Sequence, residues 1–205
     1  MRATPACPVA ADAVSTFHRH APSESGIGER QLLAVYFTGD THFGDPRVLR
    51  IDKRPFKSIP EHDEALIARW NETVSPDDEV WHLGDFALHV RPERIDELLN
   101  ILNGRKHLII GNNDGQATLS AQGWASVQNY AELLVDGHAL VLCHYAFRTW
   151  KNMGRGWLDL HGHSHGKLKR QTRQFDVGVD AWDYRPVSLE QVLGSSRIRH
   201  RPENV

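Results

Sequence analysis

The sequence predicts a mixed α/β (α+β) domain, in which mixed β-sheet is covered by helices. Three observations lead there. The first half alternates short, β-rich apolar runs with segments of helical period. The second half carries a hairpin instead. And the apolar runs end in residue types that bind metal ions. The composition agrees: 205 residues, 40% hydrophobic and 24% charged, are enough for one domain with a proper core.

Leu32 to Phe37 reads as a buried strand that stops at Thr38-Gly39-Asp40. Residues 44–58, with Pro46 and Pro55, read as a loop. Leu66, Trp70 and Val74 recur at i, i+4 and i+8, with Pro60 near the start, and predict an amphipathic helix. Glu79 to Leu83 is a strand ending in Gly84-Asp85. Ile95, Leu98, Leu99 and Leu102 mark a second helix, opened by Pro92 and closed by Asn103-Gly104. His107 to Ile110 is a strand ending in Gly111-Asn112. Leu133 to Val135 and Ala139 to Leu142 flank Asp136-Gly137, the signal of a type I′ hairpin turn. Trp157 to Leu160 leads into His161-Gly162-His163-Ser164-His165. Lys167 to Gln174 is basic and alternating, as a guarded strand edge would be. Ser188 and Gln191 form a capping box for a short helix ended by Gly194.

Residues 1–30 are rich in Ala, Ser, Pro and Gly and have no period. Pro5, Pro8 and Asp12 interrupt the one stretch that could serve as a signal peptide core. We expect a disordered tail there, a single domain over 31–205, and a cytoplasmic location. The net charge of −2 argues against gripping nucleic acid or an anionic membrane by overall charge. Cys7 and Cys143 alone exclude a disulfide framework and a thiolate-rich zinc site. No apolar run is long enough for a membrane helix. The sequence fixes no oligomeric state.

Thirteen histidines are an excess, and their positions divide them. Asp40 and His42 follow the first strand, Asp85 the second, Asn112 the third, His144 the hairpin arm, and His163 and His165 the fifth run. Sites in open α/β sheets form beyond the carboxyl ends of strands, so these clusters can converge. Side chains at i and i+2 of extended backbone point the same way, so Asp40 and His42 can face one ion, as can His163 and His165. Cys143 then points away and reads as a small hydrophobe. Gly39, Gly84, Gly111 and Gly162 precede these residues and permit sharp turns or close approach. His18, His20 and His200 lie toward the ends; His62, His107 and His138 read as surface or turn residues.

The order Asp40-x-His42, Gly84-Asp85, Gly111-Asn112, His144, Gly162-His163-x-His165 closely resembles the calcineurin-like metallophosphoesterase superfamily, over roughly residues 35–185. His82-Leu-Gly-Asp-Phe86, Gly104-Arg-Lys-His107 and the stretch Val177 to Pro186 resemble a group of small single-domain phosphoesterases within it. The resemblance implies a four-layer α/β/β/α sandwich, mixed β-sheets flanked by helices. It implies two metal ions, one held by Asp40, His42, Asp85 and His165, the other by Asp85, Asn112, His144 and His163, with Asp85 bridging. Four imidazoles, two carboxylates and one amide suit Mn²⁺ best, with iron or Zn²⁺ as alternatives, over calcium or magnesium. Two divalent ions against two carboxylates leave about +2 at the site, which attracts a small-molecule phosphate ester. Paired ions also generate hydroxide at neutral pH, so a metal-bridging hydroxide is the expected nucleophile.

One departure bears on the substrate. Many family members have a histidine, thought to assist the leaving group, where this chain has Asn113. An amide donates a hydrogen bond but is no general acid near neutrality. Relatives lacking that histidine resemble phosphodiesterases, so phosphodiester hydrolysis is the first expectation. The alternatives are a phosphomonoesterase for nucleotides or a phosphorylated metabolite, a non-catalytic metal-binding scaffold, and a nuclease, which the net charge disfavours. His82, His89 and His161 are other candidate sources of a proton, each read first as support for the ligands or as packing. Arg148 could reach a phosphate oxygen. Arg47, Arg50, Lys53 and Arg54 form a basic loop placed to help select substrate, or simply solvated. Lys167, Lys169, Arg170 and Arg173 could hold a nucleotide or nucleic-acid backbone, and Trp182 and Tyr184 could stack a base or pack.

Overall fold

The computed structural model describes residues 15–17, 33–169 and 171–198. Two mixed five-stranded sheets are flanked by helices, an α/β sandwich. The first sheet has β2 (Val35–Thr38), β3 (Glu79–His82), β4 (Arg105–Ile109) and β5 (Trp124–Gln128) in parallel, with β10 (Val187–Ser188) antiparallel to β2. Helices α2 (Ile59–Thr73) and α3 (Pro92–Ile101) make the parallel crossovers. The second sheet runs β1 (Ser15–Phe17), β6 (Ala131–Val135), β7 (His138–Leu142), β8 (Leu158–His161), β9 (Gln174–Asp176).

Alternation along the strands divides the core. Phe37, Trp81, Leu83 and Ile109 point between the sheets, where they meet Leu133, Leu140, Leu142, Leu158 and Leu160. Val80 points the other way and packs with Leu66, Trp70, Ile95, Leu98 and Leu99 of α2 and α3. Helix α2 starts where Ser58 accepts from the Glu61 N–H with Pro60 in the first turn, and α3 starts on Pro92. Asp136 and Gly137 have φ of 47° and 78°, as a type I′ turn requires. The outer face of the second sheet is covered by the segment after β7: Phe147 N–H donates to Asp159 (3.3 Å) and Gln174 donates to the Phe147 carbonyl (2.5 Å).

Several expectations change. Ser15–Phe17, inside the expected tail, pairs with β6 in parallel, favoured by β-prone Thr16 and Phe17. The rest of that tail, with His18 and His20, lies outside the described residues, as do Arg170 and His200. The loop at 44–58 contains a short helix, α1 (Arg47–Ile51), whose Val48 is buried. The segment between β4 and β6 forms α4 (Gln116–Ser120) and β5, neither of which the sequence signals. Lys167 and Lys169 are not in a strand; β9 begins at Gln174. Ser188 and Gln191 do exchange both capping bonds, at 2.8 and 3.3 Å. Their helix, α5 (Leu189–Ile198), runs through Gly194, because Leu189 and Val192 anchor it in the inter-sheet core. No helix among the described residues is long and apolar enough to cross a membrane.

Candidate metal centre

The carboxyl ends of β2, β3, β4, β7 and β8 deliver their polar clusters to one place. The loops are tied by backbone bonds: Asp40 N–H to the Gly84 carbonyl (2.9 Å), His42 N–H to Asp85 (3.0 Å) and Gly162 N–H to His144 (3.0 Å). Extended spacing is not what aims the side chains. Asp40, His42, Asp85, His163 and His165 have φ of 55°, 51°, 59°, 63° and 48°, all in the left-handed region. Each such residue costs roughly 1–2 kcal/mol, so surrounding bonds must hold it there. Gly84, at φ 88°, lies so close to the neighbouring strand end that a Cβ would sit 2.6 Å from Gly111 Cα and from His144 Nδ1. At Gly162 a Cβ would sit 2.9 Å from Asp40 Oδ2.

Two groups result. Asp40, His42 and His165 offer atoms within 4.8 Å of one another, and so do Asp85, His144 and His163. His163 and His165 therefore fall into different groups, against the i, i+2 reading. Asn112 joins the second group, its Oδ1 3.0 Å from His144 Nε2. Asp85 Oδ2 faces both, 3.5 Å from His42 Nε2 and 3.7 Å from His144 Nε2. The first group is mostly buried, whereas His163 and Asn112 are exposed, so access is over the second. Tyr145, which the sequence reading passed over, is exposed and sets its ring edge-on against His144 (5.0 Å) and His163 (4.8 Å).

The donor set fits divalent cations on the strength of its unpartnered atoms. Asp40 Oδ2 and both ring nitrogens of His42 are buried with no hydrogen-bond partner in the protein. Buried polar atoms are nearly always paired; a cation would pair the Asp40 oxygen and His42 Nε2, which faces Asp85, while His42 Nδ1 would keep its proton toward Asp45 (3.4 Å). Burial pushes the Asp40 carboxyl well above the usual carboxylate range, with His165 opposing. Burial pushes His42 down to about 4, which keeps a neutral imidazole available as a ligand. Asp85 is buried too, but bonds from Asn113 and the nearby His144 hold it below the usual range.

A supporting shell fixes these groups. His144 Nδ1 donates to the Leu83 carbonyl (2.7 Å), leaving Nε2 toward the site. His165 Nδ1 pairs with Asp180 Oδ2 (2.8 Å), which leaves its other nitrogen free to ligate. Burial works to raise Asp180, but bonds from His165 and Arg54 hold it down at about 2. Asp114 accepts from the backbone N–H groups of Asp85 (2.9 Å), Phe86 (2.9 Å) and Gly111 (2.8 Å). Asn113 grips Asp85 twice, N–H to Oδ1 and Nδ2 to Oδ2, both at 2.7 Å. Asp114 and Asp180 escaped the sequence reading, although Asp114 closes the Gly-Asn-Asn-Asp block.

The remaining candidates separate clearly. His82 is buried beside Thr41 Oγ1 (2.9 Å), and burial pushes it down to about 3, so near neutrality it is a neutral imidazole and no general acid. His161 is buried with Nδ1 2.9 Å from the Gly162 carbonyl, outside both groups. His89 and Arg148 are exposed. Arg47 is clamped on Asp45 (2.8–3.0 Å), itself 3.4 Å from His42 Nδ1, which places it at the rim of the first group. Arg54, read as part of a basic loop, is fully buried. His62 and His107 are buried rather than superficial, paired with Arg54 and Glu79. Cys143 is half-buried and lies outside both groups. Trp182 and Tyr184 pack against the two cores.

A mixed-sheet sandwich with two adjoining His/Asp groups at its strand ends is the architecture of a metallohydrolase. Residues 33–180 match the family model of the calcineurin-like phosphoesterase superfamily domain, and the chain belongs to that superfamily, whose members use divalent metals to hydrolyse phosphoesters. It is 34% identical over 180 residues to the gene 66 protein of Mycobacterium phage D29, spanning 72% of this chain and 88% of that one. It is 28% identical over 170 residues to an uncharacterised protein of Methanocaldococcus jannaschii, spanning 79% and 90%. A solved structure of a protein of unknown function from Aquifex aeolicus shares the fold, with a TM-score of 0.63 at 23% identity over 80% of this chain and 99% of that one.

Proposed function

We propose that this protein is a dinuclear phosphodiesterase, acting on a small-molecule phosphodiester, with Mn²⁺ as the preferred ion. Asp40, His42 and His165 would hold one ion and Asn112, His144 and His163 the other, with Asp85 shared. The observation that carries this is Asp85 Oδ2, which lies within 3.7 Å of a histidine nitrogen of each group. Two ions there would supply Lewis acidity for the phosphoryl oxygens and an activated water.

The chain's own residues do the positioning. Asn113 holds both oxygens of Asp85, which keeps that carboxylate ionised and aimed. The open side at Asn112, His163 and Tyr145 admits the ester. Proton supply supports the diester reading. Position 113 is an amide, His82 is neutral and locked, and His161 lies outside the groups. With none of these three able to serve as the acid, esters with acidic leaving groups are favoured, because they depart unprotonated. The test is turnover of an aryl phosphodiester and the matching monoester by Mn²⁺-loaded protein, beside Asp85→Ala. We expect the diester to be faster and the variant inactive. A faster monoester, or activity retained in the variant, contradicts the proposal.

A further inference from the structure

We infer that Arg54 and Asp180 form a positioning pair that sets the cation affinity of the Asp40–His42–His165 group alone, without touching the ion. The inference rests on the two-ion reading above. Arg54 has no exposed side-chain surface, and all five of its donor N–H groups have acceptors. Nε and Nη2 bind the two oxygens of Asp180 as a fork (2.9 and 2.7 Å). Nη2 also donates to the Asp40 carbonyl (2.6 Å), and Nη1 to the Thr41 carbonyl (2.9 Å) and His62 Nε2 (2.9 Å). Through His62 the network continues to Asp63, which accepts from Gly44 N–H (3.2 Å).

One guanidinium therefore spans two segments far apart in sequence. On one side are the carbonyls of the left-handed Asp40 turn and its continuation through Gly44. On the other is Asp180, whose Oδ2 also takes the Nδ1 proton of His165 (2.8 Å). The turn bearing Asp180 is docked on the same loop, since Val179 N–H donates to the Gly39 carbonyl (3.0 Å). A Cβ on Gly178, just before it, would run into Asp40 Oδ2. Arg54 is thus the common anchor for all three donors of the first group. Among the described residues the second group has no equivalent arginine anchor: His144 is held by a neutral backbone carbonyl, and Asp85 by Asn113 and, through its backbone N–H, Asp114. An anionic partner makes the imidazole a stronger ligand, so the difference is selective.

The test is calorimetric titration of metal-free protein with Mn²⁺, with metal content after gel filtration, for the unchanged chain, Asp180→Ala, Asp180→Asn and Arg54→Lys. The unchanged chain should take two ions. Asp180→Ala should weaken one of them by about 10–100-fold and leave the other as it was. Asp180→Asn, which retains an acceptor for His165, should fall between. Arg54→Lys should resemble Asp180→Ala, because an ammonium cannot reproduce the fork. Circular dichroism of the metal-free variants checks that they fold, and Asp180→Asn serves if the others do not. Unchanged affinities in Asp180→Ala, or equal weakening of both ions, would overturn the inference. If the unchanged chain takes a single ion, the two-ion reading fails, and weakening of that ion in Asp180→Ala still decides for or against the pair.

Discussion

Replacing Asp114 by alanine should loosen the ends of β3 and β4 and lower the stability of the chain. Its carboxylate is the shared acceptor for three backbone N–H groups, those of Asp85 and Phe86 after β3 and Gly111 after β4, at 2.8–2.9 Å. A hydrogen bond to a charged acceptor contributes about 1.5–3 kcal/mol, and an orphaned buried donor costs about 1–3 kcal/mol. Asp114 is half-buried, so water can replace some of what is lost, and the lower end applies: about 3–5 kcal/mol for the three together. In a chain of this size each kcal/mol moves Tm by about 2–4 °C, so melting should fall by roughly 6–20 °C. Asp114→Asn keeps one acceptor oxygen and should lose about half as much. The assay is thermal unfolding of metal-free protein followed by circular dichroism. A Tm for Asp114→Ala within about 3 °C of the unchanged chain would refute the reasoning, since it would mean the three bonds stabilise by less than about 1 kcal/mol in all.

Other predictions are more local. Gly84→Ala places a methyl 2.6 Å from backbone atoms of Gly111 at a φ of 88°, so it should destabilise by more than about 2 kcal/mol in urea titrations and lower metal content. Glu79 is buried, yet the bond to His107 (2.6 Å) holds its pKa below the ordinary value of 4.5. Its contribution is thus present above that value and lost as pH falls through the lower, folded value; Glu79→Gln should remove about 1–3 kcal/mol near neutrality and flatten the acid limb of a stability–pH curve. Asn113→His should raise monoesterase activity relative to diesterase activity in steady-state assays, by up to the 10²–10⁴-fold typical of general acid catalysis.

The seven proposed ligands were legible because each lies within a few residues of the end of an apolar run, and a strand's end can be read from where its apolar residues stop. Their aim was not: spacing suggested extended backbone and put His163 with His165, whereas left-handed turns at Asp40, His42, Asp85, His163 and His165 do the aiming and separate that pair. Local sequence hides the supports. Arg54 and Asp180 are 126 positions apart, and a lone arginine in a basic stretch looks solvated until its partner is known. His62 and His107 misled for the same reason, since burial of a polar residue depends on a distant acceptor. Helix α1 and strand β5 were missed because neither carries its own period; their neighbours impose them.

The central claim is that Asp85 joins two metal ions in one centre. Electron paramagnetic resonance of metal-free protein refilled with Mn²⁺ tests it directly. Two ions per chain with a spin-coupled spectrum, replaced in Asp85→Ala by the spectrum of an isolated ion, is the result expected. A single ion per chain, or two uncoupled ions in the unchanged protein, would contradict the account.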